Sequence, residues 1–159
     1  MHHARFALVL TLLLAASCSG SPATDTCASP STSELAASST IEMSLRPNPV
    51  VAGTRATLSM DPDGDFAGEF VGIGAEFQCW DGVEWKPLFL LTRDKPELSP
   101  STVPVVPGQT TALPAIGIPL PDSSDVLIPD VPPGIYRIED HIEDSTITGF
   151  AIVQVTARN

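Results

Sequence analysis

Basic residues, histidine and tyrosine are scarce in this chain of 159 residues. It has 8 Lys and Arg against 19 Asp and Glu, and its formal net charge is −11. An acidic protein repels phosphate backbones, so this balance opposes nucleic acid as a partner and favours neutral or cationic partners. Long helices are also disfavoured, because the 16 prolines and 11 glycines suit short strands joined by turns. The length fits one domain with a hydrophobic core.

Only one long apolar run is present, and it lies at the N-terminus. Residues 6–16 (FALVLTLLLAA) follow a short start that contains Arg5. A run of this length is typical of an export signal and is shorter than the roughly 20 residues that a spanning helix needs. No other stretch approaches that length, so we expect the mature protein to have no spanning segment.

The apolar run ends in residues 14–18 (LAASC), which resemble the lipobox of bacterial lipoproteins. The resemblance implies a signal peptide over residues 1–17, a lipid on Cys18, and an extracytoplasmic protein anchored to the bacterial cell membrane. The alternative is ordinary secretion, in which Ala15 and Ser17 form a small-residue cleavage site.

Three cysteines are an odd number for a chain bound for an oxidising compartment. Lipidation of Cys18 leaves Cys27 and Cys79, which can then form a disulfide. Closing a loop of about 50 residues would stabilise the fold by roughly 4 kcal/mol in the chain-entropy model. Cys27 lies in a Ser-, Thr-, Ala- and Pro-rich stretch over residues 18–40, which we expect to be a flexible tether because it has little apolar surface to bury. The pairing therefore stays open.

Residues 41–159 are predicted to form one all-β domain. Apolar and polar residues alternate over residues 41–45 and 54–60, on either side of a proline-rich turn. Residues 92–133 are punctuated by proline, which cannot donate to a central ladder, so edge strands and loops are expected there. A strand is also expected after Pro133-Gly134, and a final strand is expected over residues 150–155.

The clearest hairpin signal is Asp81-Gly82, a pair that tolerates the positive φ angles of a tight two-residue turn. The turn brings residues 73–80 opposite residues 83–91, and the core is expected to centre on this hairpin. Arg93 and the charged residues after it are expected to form a solvated loop.

Three sequence features resemble the bacterial immunoglobulin-like domains of exported lipoproteins. They are residues 46–49 (RPNP), the hairpin that carries Trp85, and residues 133–137 (PGIYR). The resemblance implies an immunoglobulin-like antiparallel β-sandwich of about seven strands over residues 41–159. It also implies a tyrosine corner, in which the Tyr136 hydroxyl bonds back to the preceding backbone. Such a fold does not determine a function.

An alternation of Asp61, Asp63 and Asp65 around a glycine suggests a calcium site completed by Glu69, because calcium prefers carboxylate oxygens. The EF-hand pattern is not met, since Phe66 occupies the position of its glycine. A turn whose aspartates cap their own backbone is the simpler interpretation.

Catalytic signals are weak throughout the chain. His141 is the only histidine outside the signal peptide, and one histidine makes a poor zinc site. Ser123 and Ser145 are close to His141 only in sequence, and neither belongs to a nucleophile-elbow motif. We therefore predict no catalytic residue, no metal and no cofactor, and we do not expect an enzyme.

Two tryptophans, Trp80 and Trp85, flank the predicted hairpin turn and are the candidate binding patch, since exposed tryptophans bind sugar rings or protein surfaces. The alternative is that one of them faces the core. The leading functional hypothesis is a membrane-tethered, non-catalytic binding or structural module that contacts an envelope protein or glycan. The alternatives are a small-ligand or calcium-binding envelope protein and an accessory domain to a cell-wall enzyme.

Overall fold

The computed structural model describes residues 27–36, 41–62, 69–72, 74–94, 99–109, 116–119, 122–141 and 148–158. Within these ranges the protein is all-β apart from one helical turn, which confirms the all-β part of the predicted fold class. The elements are α1 (Thr32–Leu35), β1 (Ile41–Arg46), β2 (Val50–Val51), β3 (Arg55–Pro62), β4 (Glu69–Gly72), β5 (Ala75–Trp80), β6 (Trp85–Leu91), β7 (Thr102–Pro104), β8 (Ile116–Pro119), β9 (Asp122–Leu127), β10 (Gly134–His141) and β11 (Thr148–Thr156).

Most of the strands belong to one sheet, in the order β7-β6-β5-β10-β11-β1-β3-β9, with β2 paired to β11 beside this path. β4 and β8 form a separate two-stranded sheet. β1 connects the two halves of the large sheet, because it is antiparallel to β3 and its first two residues are parallel to β11. A β-bridge between Arg93, which follows β6, and Val126 on β9 joins the far sides of the path. The sheet is therefore nearly closed into a barrel.

A single core fills the inside of this sheet. Side chains alternate between the two faces of a strand, and β1 alternates buried and exposed residues along its whole length. The inward residues of neighbouring strands form one cluster, which includes Leu58, Phe77, Leu91, Ile138 and Val153, all fully buried. Full burial of an aliphatic or phenylalanine side chain stabilises the fold by about 1.5–3 kcal/mol.

The only tyrosine connects this core to the loop before β10. Tyr136 is 1% exposed, and its ring stacks on Phe77 with the centroids 4.8 Å apart. Its hydroxyl donates a hydrogen bond of 2.8 Å to the carbonyl of Pro132, which is the bond expected for a tyrosine corner. Burial raises the pKa of Tyr136, so the phenol remains a donor at neutral pH.

The hairpin between β5 and β6 differs from the expected one. Trp80 pairs with Trp85, so the connection has four residues instead of two. The cause is the Asp81 carboxylate, which accepts hydrogen bonds from the backbone N–H groups of Val83 (2.8 Å) and Glu84 (2.9 Å). Val83 is 83% exposed, so the hairpin tip lies outside the core. The body of the hairpin contributes Ala75, Phe77, Cys79 and Leu91 to the core.

β9 is a strand that the sequence pattern does not predict. It lies within the stretch expected to hold edge strands and loops, and it does lie at one end of the path. However, it pairs with β3 over six residue pairs, from Arg55–Leu127 to Met60–Asp122. Its sequence DSSDVL has no apolar run, and its buried positions are Ser124 and Val126.

The described chain makes its first contacts with the sheet at Cys27, ahead of the domain boundary expected at Ile41. Cys27 and Cys79 form a disulfide, with their Cα atoms 5.6 Å apart. The backbone N–H of Ala28 donates to the carbonyl of Trp80 (2.8 Å). The turn of α1 follows, with a capping box that begins at Ser31. Part of the stretch expected to be a flexible tether is thus attached to the domain.

Replacement of Tyr136 with Phe keeps the ring in the core and removes its hydrogen bond to Pro132. We expect the free energy of unfolding, measured by urea denaturation, to fall by about 1 kcal/mol. Gln154→Ala, on the exposed side of β11, is the control and should change it by less than about 0.5 kcal/mol. Equal effects of the two substitutions would contradict a stabilising tyrosine corner.

Candidate functional site

The outer face of β5, β6, β10 and β11 carries a group of aromatic and charged side chains that we call the outer ladder: Trp80, Trp85, Arg137 and Phe150. On β5, β10 and β11, the residue of the outer ladder is the sequence neighbour of a core residue. Neighbouring residues on a strand point to opposite faces, so these side chains lie on the outer face. Trp80 is 9% exposed but does not belong to the main core cluster. The outer ladder is therefore a second packed layer on the outside of the sheet.

The rings of the outer ladder are in direct contact. Trp80 and Trp85 are cross-strand neighbours, with ring centroids 5.6 Å apart and planes inclined by 59°. The guanidinium carbon of Arg137 lies 4.9 Å from the Trp85 ring centroid and 5.7 Å from that of Phe150. A cation over an aromatic face gains about 0.5–1 kcal/mol at an exposed site and more when desolvated. Arg137 thus links rings from two different strands.

Arg137 is also held from the side by polar groups. Its Nε donates to Oε1 of Gln78 (2.8 Å), and Nε2 of Gln78 donates to Oε2 of Glu76 (2.7 Å). Its Nη2 pairs with the carboxylate of Glu139. Burial lowers the pKa of Arg137, while Glu139 and Glu76 oppose that change. The guanidinium group stays charged at neutral pH, and its orientation is determined by these partners.

The structure brings both predicted residues of the binding patch, Trp80 and Trp85, to one face. Trp80 is nearly covered, whereas Trp85 is half-buried, so Trp85 is the ring that a partner can reach. Trp80 is the buried member of the pair, although it lies outside the main core cluster, and residues paired across a ladder share a face. Sequence reasoning missed Arg137 and Phe150, although their alternation with inward residues of the closing strands was available as a signal.

An accessible ring beside amide, guanidinium and carboxylate groups is chemically suited to binding. Tryptophan presents a large apolar surface to a sugar ring or to a protein side chain. Arg137 lies over the Trp85 ring, and Gln78 and Glu139 bind the guanidinium group of Arg137. A few oriented polar groups around an apolar contact are typical of specific recognition sites.

The hairpin tip beside the outer ladder is held by an ion pair. Nζ of Lys86 lies 2.7 Å from Oδ2 of Asp81. The hydrogen bond from Lys86 lowers the pKa of Asp81 to about 2, and the backbone N–H groups of Glu84 and Val83 act in the same direction. The same contact raises the pKa of Lys86. The tip that positions Trp85 therefore depends on an ionised Asp81.

A buried ion cluster lies where the sheet closes. Arg93 is 3% exposed, although the sequence predicts a solvated loop at this position. Its Nη2 pairs with Asp140, which is 2% exposed, and its Nη1 lies 3.4 Å from Oδ2 of Asp122. Ser124 Oγ donates to the same Asp122 oxygen (3.0 Å). The prediction failed because β9, which covers Arg93, lies some 30 residues further along the chain.

The residues considered for calcium do not form a described site. Asp61 lies in β3, paired with Glu42 of β1, and Glu69 is the first residue of β4. Asp63 and Asp65 lie outside the described residues. Within the residues that the structure describes, no group of three or more His, Cys, Asp or Glu side chains could hold a metal ion.

Of the residues considered for catalysis, His141 and Ser123 lie on different strands. His141 is the last residue of β10, opposite Thr148 of β11. The hydroxyl oxygen of Ser123 lies 3.2 Å from that of Ser59, on the outer side of β3 and β9. Ser145 lies outside the described residues.

No protein-family model, curated protein or solved structure matches the chain. In the described part of the chain, no helix has the length and apolar character needed to cross a membrane. Cys18, the predicted lipidation site, lies outside the described residues.

Replacement of Asp140 with Asn removes one of the two carboxylates that compensate Arg93 in the described part of the chain and leaves only Asp122. We expect the free energy of unfolding, measured by urea denaturation, to fall by about 1.5–3 kcal/mol, the loss typical of a hydrogen bond to a charged group. The control is Asp94→Asn in the exposed pair Arg55–Asp94, whose side chains are 57% and 46% exposed. That change should cost less than about 1 kcal/mol. Similar losses for both variants would contradict a special role of the buried cluster.

The Asp81 carboxyl should titrate with a pKa of about 2 when it is followed by NMR against pH. Because this pKa is lowered on folding, the stabilisation is complete above the ordinary value of 3.8 and is lost as pH falls through about 2. Lys86→Gln should raise the pKa towards 3.8, while Arg55→Gln, far along the chain, should leave it unchanged. If Lys86→Gln leaves the pKa of Asp81 unchanged, the ion pair does not hold the hairpin tip.

Proposed function

We propose that this chain is an exported lipoprotein, anchored through Cys18 on the outer side of a bacterial cell membrane, whose domain is a non-catalytic binding module. The apolar run and the LAASC motif support the anchor. The cysteine pairing also supports it. Cys27 and Cys79 are joined to each other, which leaves Cys18 as the cysteine that a lipid can modify.

The domain that we propose is immunoglobulin-like. In such folds one sheet contains the first, second and fifth strands, and the other contains the closing hairpin with the central strands. The β1-β3-β9 group and the β11-β10-β5-β6 group support this division, with β1 paired to both groups and β2 paired to β11. The hydrogen bond from Tyr136 to Pro132 is further support.

One observation favours a binding role. The Trp85 ring is accessible at the edge of the outer ladder, whose other groups are paired with one another. Arg137, Gln78 and Glu139 hold one another in place, so the surface is preorganised and loses little conformational entropy on binding. Tryptophan and arginine are also the residues that contribute most to recognition surfaces. We propose an envelope protein or a glycan as the partner, consistent with the chain's acidic charge, which opposes nucleic acid.

The test is recovery of the protein and its partner from detergent-solubilised membranes after labelling with a fatty-acid analogue. The unmodified chain should carry the label, and Cys18→Ser should lose both label and membrane association. Trp85→Ala should weaken binding of the recovered partner roughly tenfold, as loss of a central aromatic contact does. Val83→Ala, at the exposed tip of the same hairpin, is the matched control and should bind normally.

Two results would contradict the proposal. Label that persists in Cys18→Ser would exclude the anchor. Partner binding that is equally strong in Trp85→Ala and Val83→Ala would exclude the outer ladder as the binding surface.

A further inference from the structure

The disulfide joins the N-terminal segment to a different part of the sheet from the one where the first strand begins. We infer that the bond between Cys27 and Cys79 makes Cys79, instead of Ile41, the point at which the domain is attached to its membrane anchor, and that it thereby shortens the tether. This inference rests on the proposed anchor at Cys18.

The registers of the strands separate the two attachment points. Glu42, beside Ile41, pairs with Phe150, which pairs with Glu139, which in turn pairs with Glu76 near the start of β5. Cys79 lies three residues further along β5, close to its end. At about 3.3 Å per residue, Glu42 and Cys79 are therefore about 10 Å apart along the strand direction. The disulfide therefore attaches the tether near the hairpin that carries Trp80 and Trp85.

The disulfide has a larger effect on how far the domain can lie from its membrane anchor than on where the tether is attached. Cys18 and Cys27 are nine residues apart in sequence, and Cys18 and Ile41 are 23 residues apart. Since a fully extended chain spans at most about 3.3–3.6 Å per residue, the two tethers reach no further than about 30 Å and about 80 Å. With the disulfide formed, residues 28–40 are a closed loop on the domain and add nothing to the reach.

This geometry has a consequence for the proposed function. The hairpin tip and the outer ladder stay within about 30 Å of the lipid, plus the dimensions of the domain itself. The partner must then present its binding surface close to the membrane. A domain on the longer tether could instead contact a partner further away.

Two matched insertions test the inference without breaking the disulfide. An insert of about ten Gly and Ser residues, which extends by up to about 35 Å, is placed either between Ser21 and Pro22 or between Ala37 and Ser38. The two tryptophans are the only ones in the chain and lie beside Cys79. Energy transfer from the tryptophans to a dansyl lipid in phosphatidylcholine vesicles therefore reports the distance between the membrane and the end of the domain that carries Cys79.

We expect the first insertion to lower the energy transfer and the second to leave it unchanged. Cys27→Ser/Cys79→Ser should lower the transfer by itself and should make it sensitive to the second insertion, provided that a melting curve shows the variant to be folded. Equal effects of the two insertions in the disulfide-bonded chain, or an effect of the second alone, would overturn the inference.

A separate arm distinguishes failure of this inference from failure of the proposed anchor. The mature chain with Cys18→Ser is attached by an N-terminal histidine tag to vesicles that contain a nickel-chelating lipid. The same difference between the two insertions is expected there, whether or not the natural chain is lipidated. If the difference is present in this arm while the natural chain carries no lipid, the anchor is wrong and the tether geometry is right.

Discussion

The buried ion cluster of Arg93 with Asp122 and Asp140 is the interaction on which closure of the sheet depends. Arg93 follows β6, Asp140 belongs to β10, and the neighbouring Asp122 belongs to β9, so one guanidinium group connects strands from both sides of the path. The backbone makes the same connection through the bridge from Arg93 to Val126. A buried charge is costly unless it is paired, so the cluster favours the arrangement in which β9 closes against β6.

Closure gives the sheet two faces with different roles. The inner face holds the core, with Tyr136 joined to Phe77 and to the carbonyl of Pro132. The outer face is free to carry groups that stability of the core does not need. The outer ladder occupies this face, and its charged and aromatic groups hold one another in position. A rigid frame behind a partly exposed Trp85 is what the proposed binding role requires.

Strands with strong alternation could be predicted from the sequence, and those defined by distant partners could not. β1, β3 and β11 alternate clearly, and the tyrosine corner follows from a short local pattern. β9 is polar, and it forms a strand because its backbone pairs with that of β3. Of the candidate site, Trp80 and Trp85 could be found because they flank a turn signal. The outward position of Arg137 follows from alternation, but its pairing with Gln78 and the burial of Arg93 could not be predicted, since they depend on residues 29 or more positions away in sequence.

The central claim is that one cysteine anchors the protein while the other two attach the tether to the sheet. Mass spectrometry of the chain extracted from membranes, digested without reduction, tests both parts together. The account predicts an N-terminal peptide that begins at a lipid-bearing Cys18 and a separate peptide pair joined through Cys27 and Cys79. An N-terminus without lipid at Cys18, or Cys27 and Cys79 recovered as free thiols, would contradict it.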